Sequence, residues 1–191
     1  MGWNWSRPPL RVLHVMRTID PAKQPTGQAL RHLAALHLCH RHRAEVVSFD
    51  PPASPWVRDF PLPVHARGTL VRGWGCSPGF AAWLAERRRD YDAVIVHGLR
   101  GYHAEAVWRA LYGSLTPYFI IPHGELRGWA SLREIRRWLG WPCVLRDARG
   151  VLFASDAEKA AADRSSGLHA EKSHVIADWN ADAFIQAVRS P

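Results

Sequence analysis

Short apolar, β-branched runs alternate with longer amphipathic stretches along this chain, and that alternation restricts the fold more than any other feature. The run Arg11-Val12-Leu13-His14-Val15-Met16, just after Pro8-Pro9, reads as a first strand. From Gly27 to His40, the residues Leu30, Leu33, Ala34, Leu36 and Leu38 fall mostly at helical spacing. Glu45-Val46-Val47-Ser48-Phe49 reads as a second strand, closed by Asp50-Pro51-Pro52. The stretch from Pro51 to Pro78 is rich in Pro and Gly and leaves room for one short strand near Leu62-Pro63-Val64-His65. Helical character resumes at Pro78, a residue suited to a first turn, and runs to Arg89.

The pattern continues with a strand over Asp92–Val96, a helix over Tyr102–Leu111 and a strand over Pro117–Ile121. Ser131 to Arg146 is helical in parts, interrupted by Gly140 and Pro142. A strand over Gly150–Ala154 leads into Ser155-Asp156-Ala157-Glu158, a capping-box pattern that opens a helix. A last strand, Ser173–Ala177, precedes a short helix near Ala181–Val188. Such alternation predicts βαβ units: an α/β, Rossmann-like, doubly wound and mostly parallel sheet with helices on both faces. The strands are apolar nearly throughout, as required where both faces of a sheet are covered. The expected division is a disordered segment over 1–10, one domain over 11–180, and a tail over 181–191.

In sheets of this kind ligands bind beyond the carboxyl ends of the strands, so chemistry is sought there. The first strand leads through Thr18-Ile19-Asp20 to Pro25-Thr26-Gly27 at a helix start, where a phosphate can meet backbone N–H groups. A plain strand-to-helix turn explains the same residues. The fourth strand ends Val96-His97-Gly98-Leu99, followed by Tyr102-His103, and the fifth ends Pro122-His123-Gly124-Glu125-Leu126. Glycine lets the backbone turn sharply and a ligand approach, while imidazole both donates and accepts near neutral pH. One strand-end His is usually a structural hydrogen-bonder; two in equivalent places indicate a site.

The net charge of +8, with eleven His besides, suits an anionic partner: sugar nucleotide, lipid phosphate, anionic membrane or nucleic acid. High Arg content alone explains the number equally well, and no nucleic-acid-binding motif is present. Cys39, Cys76 and Cys143 are scattered, which argues for a reducing compartment rather than a disulfide framework. No apolar run approaches the roughly 18 residues of a membrane span. The cluster His37-x-Cys39-His40-x-His42 spreads its side chains over different helix faces and lacks a second zinc-spaced pair, so no metal site is expected. Arg87-Arg88-Arg89 reads as a solvated helix end. The basic and aromatic stretch Arg133 to Trp141 suits either an anionic membrane surface or an ordinary helix packing Ile135, Trp138 and Leu139 inward.

Taken together, Val94-Ile95-Val96-His97-Gly98-Leu99, Tyr102-His103, Pro117 through Leu126 and Trp129 resemble the acceptor domain of the glycosyltransferase-4-like (group 1) enzymes. Val144 through Ser155, then Glu158, is similar to the same family's Leu-Arg-Asp-Ala run, strand, Ser and Glu. The resemblance extends from about Arg11 to about Asn180. It implies one half of a GT-B architecture, in which two Rossmann-like domains face each other across a cleft with no metal requirement. The N-terminal half binds a glycan or lipid-linked sugar acceptor, and the C-terminal half grips the nucleotide-sugar donor and supplies a Glu-x7-Glu motif. By this likeness His123 is the catalytic candidate beside the donor sugar, and Gly27 lies near the diphosphate. His97, Gly98 and Gly124 shape the acceptor side, with Tyr102 and Glu125 as further substrate-binding candidates.

The chain also departs from the pattern. Thr26-Gly27 replaces a Gly-Gly pair, Arg100-Gly101 stands where Trp and Gln are usual, and Glu125 replaces a Met. The final strand runs into Ala177-Asp178-Trp179-Asn180 rather than Pro-Asn-Gly, and no Glu-x7-Glu pair follows. The implied protein is a cytoplasmic glycosyltransferase half, peripheral to the inner membrane face in one reading, acting in polysaccharide biosynthesis and inactive without a donor domain. A non-catalytic binding or scaffold protein, or the acceptor subunit of a split enzyme with its donor domain on a partner chain, are the alternatives. No cofactor is implied beyond the nucleotide-sugar substrate, and no nucleic acid.

Overall fold

Seven strands form one parallel sheet in the order β3-β2-β1-β4-β5-β6-β7. They are β1 Arg11–Met16, β2 Arg43–Ser48, β3 Val64–Ala66, β4 Ala93–His97, β5 Tyr118–Ile121, β6 Gly150–Phe153 and β7 Ser173–Val175. This computed structural model describes residues 8–23, 30, 31, 33, 34, 37, 41–68, 76, 77, 79–126, 141–166, 170–176 and 181–189. Gly27, Cys39, His40, Trp129, residues 133–140 of the basic and aromatic stretch, and 177–180 after the last strand lie outside the described residues.

The helices fall between strands as the periodicity requires. Phe80–Arg87, Tyr102–Leu111, Trp141–Asp147, Asp156–Ser166 and Ala181–Arg189 are helical, as are the described residues Leu30, Arg31, Leu33, Ala34 and His37. Period-2 alternation along the strands builds two cores. On one face Leu13, Val15, Val94, Val96, Ile120 and Phe153 pack beneath the helices that carry Leu84, Val107 and Val144. On the other, Val12, Met16, Val46, Ile95, Phe119 and Leu152 pack beneath Leu30, Leu33 and Ala34, with Ala187 of the last helix. The segment 181–189 thus docks on the domain, and Arg189 donates from its guanidinium to the carbonyl of Pro8 at 2.8 Å.

Strand ends differ from the sequence expectation by one or two residues. β2 begins at Arg43 because its pairing with Arg11 of β1 extends past the apolar residues, and Phe49 is buried beyond its end. The helix Pro55–Arg58 has no counterpart in the sequence reading: four residues are too few for a period, although Pro55 at its start is a marker. Trp141–Asp147 is helical with Pro142 as its second described residue, where a missing N–H costs little; residues 131–140, and so the expected break at Gly140, lie outside the described residues. Arg87 pairs with Asp90 at 3.6 Å at an exposed helix end, as a solvated charge run should.

The chain steps outward from β1 to β2 and β3, then returns to β4 on the other side of β1 and proceeds to β7. The strand order reverses between β1 and β4. In sheets of this kind connections diverge at such a reversal, which is where a ligand crevice opens beyond the carboxyl ends of the two strands.

Candidate functional site

β4 ends on His97 and β5 is followed by Pro122-His123-Gly124-Glu125, a turn in which the Glu125 N–H donates to the Pro122 carbonyl at 3.0 Å. His123 and Gly124 both have positive φ, 49° and 78°, the signature of a type I′ turn. Glycine takes that geometry freely, and His is among the few other residues enriched there. The turn lays the His123 ring on the His97 ring, with centroids 5.2 Å apart and planes 19° from parallel, and joins His97 Nδ1 to His123 Nε2 at 3.0 Å. His97 is buried while His123 is half-buried.

Two carboxylates fasten these turns. One oxygen of Glu125 accepts the N–H groups of Leu99 and Arg100, the second at 3.0 Å. A Cβ at position 98 would stand 3.2 Å from the other oxygen of Glu125, and Gly98 has φ 80°, so no other residue fits easily. Glu158 accepts from Gly124 N–H at 2.6 Å and Ala154 N–H at 3.0 Å, while its own N–H donates to Ser155 Oγ at 3.2 Å. The capping box is therefore half formed: the carboxylate serves the end of β6 and the His123 turn. Replacing Glu158 by Ala orphans two backbone donors. It is expected to lower unfolding free energy by about 2–3 kcal/mol in urea titration.

Across the crevice, buried Asp50 after β2 accepts Thr18 Oγ1–H at 2.5 Å and Ile19 N–H at 2.8 Å. Asp20 accepts Ala22 N–H at 3.0 Å and pairs with Lys23 at 3.2 Å. The loop that leads toward Gly27 is thus braced, with the cationic side chain of Arg17 at its root. The Arg17 Cδ lies 4.0 Å from where a Gly101 Cβ would stand, beside the β4 loop. Tyr102, the first residue of its helix, is half-buried and leans on Phe49 at 6.0 Å, and burial raises its phenol so that it stays an O–H group. The sequence-predicted residues His97, Gly98, His123, Gly124 and Glu125 form one cluster, and Tyr102 stands at the adjoining wall.

Three imidazoles escaped the sequence reading as parts of the site. His103 donates from Nε2 to the carbonyls of His97 at 2.9 Å and Gly98 at 3.3 Å, which fixes its tautomer. Burial pushes it down to about 4. His14, in the middle of β1, is fully buried and links on both sides: Nδ1 to His97 Nε2 at 2.9 Å, and Nε2 to His37 Nε2 at 3.0 Å. Burial first, and His37 second, hold His14 far below its usual range; burial and the neighbouring His14 do the same to His97. Burial also takes His123 to about 4. The signal for His14 was present: a lone polar residue inside an otherwise apolar central strand. His37 belongs to the cluster considered for metal, and it hydrogen-bonds to another imidazole.

The family model described as "Glycosyl transferase 4-like domain" matches residues 20–179. No curated protein matches the chain in sequence. Among solved structures the fold is similar to Anabaena Alr3699/HepE in complex with UDP and glucose, with TM-score 0.63 and 18% identity over 88% of this chain and 44% of that one. A glycosyltransferase from Rickettsia africae gives TM-score 0.62 and 12% identity, covering 90% of this chain and 43% of its own. The UDP-GlcNAc 2-epimerase of Methanocaldococcus jannaschii gives 0.54 and 12%, covering 94% and 48%. This chain spans less than half the length of each of these structures.

Proposed function

The chain belongs to the glycosyl transferase 4-like family, and from that premise we propose that it is the acceptor-side half of a GT-B glycosyltransferase. It takes up a glycan or lipid-linked sugar acceptor, probed most simply as a polyprenyl-phosphate-linked sugar, in polysaccharide synthesis. The donor half, which grips the nucleotide-sugar, comes from elsewhere in the polypeptide or from a partner chain. The observation that carries this reading is the His97–His123 pair, hydrogen-bonded at 3.0 Å on adjacent strand ends beside the crevice where the strand order reverses.

Each part of the site has a task in that reaction. His123 meets the donor sugar as a neutral hydrogen-bonding ring. Gly98 and Gly124 keep the backbone low enough for a sugar ring to approach, and Tyr102 and Glu125 border the acceptor. Arg17, directly after the end of β1, and Gly27, assigned by the family likeness, serve the diphosphate, whose leaving charge must be stabilised for transfer to occur. No cofactor takes part; the nucleotide-sugar is a substrate. Transfer on the inner face of a membrane suits the basic charge. No helix among the described residues is long and apolar enough to cross a membrane.

The test combines this chain with and without a GT-B donor domain, radiolabelled UDP-glucose and a lipid-linked sugar acceptor. The expected result is acceptor binding by the chain alone, no transfer by it alone, and turnover once the donor domain is present. Turnover by the pure 191-residue chain would overturn the half-enzyme reading. Acceptor binding without transfer in any pairing would favour a non-catalytic binding protein on the same fold.

A further inference from the structure

Four imidazoles form a hydrogen-bonded row under one face of the sheet: His37 Nε2 to His14 Nε2 at 3.0 Å, His14 Nδ1 to His97 Nε2 at 2.9 Å, and His97 Nδ1 to His123 Nε2 at 3.0 Å. The ring centroids are 5.1, 5.2 and 5.2 Å apart along the row. Residues 14 and 97 sit on the same sheet face as Val12, Met16 and Ile95, beneath the helical residues Leu30, Leu33 and Ala34. The row therefore runs from the helix, through the middle of β1, to the turn at the crevice.

Its chemistry is restrictive. A neutral imidazole has one N–H donor and one bare nitrogen acceptor. Both nitrogens of His14 and both of His97 are taken by other imidazoles, so each must donate on one side and accept on the other. Two fully satisfied neutral arrangements exist. In one, His37 donates from Nε2, His14 and His97 donate from Nδ1, and His123 carries its hydrogen on Nδ1. In the other, His123, His97 and His14 all donate from Nε2, and His37 carries its hydrogen on Nδ1. An imidazolium inside the row would place a charge in an apolar core, which burial opposes. Choosing the tautomer of any one ring chooses all four.

We propose that His37, His14 and His97 are positioning residues acting as one tautomer-locked unit that decides which nitrogen of His123 bears the hydrogen at the crevice. Whether His123 offers a donor or an acceptor to a sugar hydroxyl is then set at His37, three rings away inside the domain. The consequence for sugar recognition rests on the reading of His123 given above; the lock itself does not. Packing alone does not call for such a row, since Leu or Phe would fill a buried position on β1 without needing partners.

Long-range proton–nitrogen NMR of the 15N-labelled chain at pH 7 reads the tautomer of each ring directly. The expected result is one complete set of the two, with no imidazolium among the four. A mixed set, or averaging of the tautomers at His14 or His97, would overturn the lock. In His14→Phe the row is cut, and His123 is expected to become a mixture of tautomers while backbone amide shifts far from β1 stay in place. A folded His14→Phe in which His123 keeps its wild-type tautomer would sink the proposal. Should that variant not fold, His37→Leu cuts the row at its outer end and is read the same way, and the wild-type spectrum stands as a test by itself. With a donor domain supplied, His14→Phe is expected to lower kcat about tenfold with little change in the affinity for UDP. A lock seen by NMR with an unchanged kcat would keep the lock and remove the sugar-facing role of His123.

Discussion

Lowering the pH from 7 toward 4 is expected to unfold this domain cooperatively, with stability declining from about pH 6.5. His103 and His123 are held down to about 4 by burial, and His14 and His97 are also lowered, well below 6.5. In the unfolded chain all four titrate near 6.5. Between about 6.5 and 4 the unfolded state therefore binds protons that the folded state refuses, and stability falls as pH falls. Above that window the contribution is complete. For the fully buried His103 the displacement corresponds to on the order of 3 kcal/mol. His123 is half-buried and contributes less. Domains of this size have about 5–15 kcal/mol in all, so two or three such groups suffice to unfold it. Tryptophan fluorescence and circular dichroism against pH would measure this, with urea midpoints at pH 7, 6 and 5. Equal urea midpoints at pH 7 and 5 would refute it. His103→Gln, whose amide can still donate to the His97 carbonyl, should give a shallower decline.

The second large effect is on transfer. With a donor domain supplied, His123→Ala is expected to lower kcat/KM about 100-fold, roughly 3 kcal/mol of transition-state stabilisation. On the proposed reading, the variant removes a hydrogen-bonding ring from the sugar. It also leaves His97 Nδ1 without its partner and puts Ala at a φ of 49°, which strains the turn. His123→Asn separates these terms, since Asn accepts the left-handed conformation but lacks an imidazole. If Asn restores thermal stability and leaves the rate low, the ring is the active element. Steady-state kinetics within twofold of wild type for His123→Ala would remove His123 from the chemistry.

Much of the site was legible in the chain because it lies on the parts that sequence specifies locally. A Gly directly after a strand-end His marks a turn that needs positive φ, and Gly98 and Gly124 have it. Apolar runs next to both pairs placed them on buried neighbouring strands, which the hydrogen-bonded ladder His97↔Ile121 reproduces. Glu125 illustrates the opposite case. Its carboxylate accepts two backbone N–H groups of the β4 loop, a partnership across 26 and 25 residues that no local pattern records. Glu158 is similar: the capping box foretold its helix start but not its reach to Gly124. His14 and His37 lay in plain text, one in an apolar run and one in a His-rich helix, with nothing to say that they meet.

What the sequence alone determined is what depends on neighbours along the chain. The period of apolar residues sets which segments become strands and helices, and the alternation of the two sets a parallel, doubly covered sheet. What only the tertiary structure decided is which polar groups share a partner. Hydrogen bonds reach about 3 Å, whereas the residues they join here are separated by 23 to 83 positions, and only the strand order brings them within that distance.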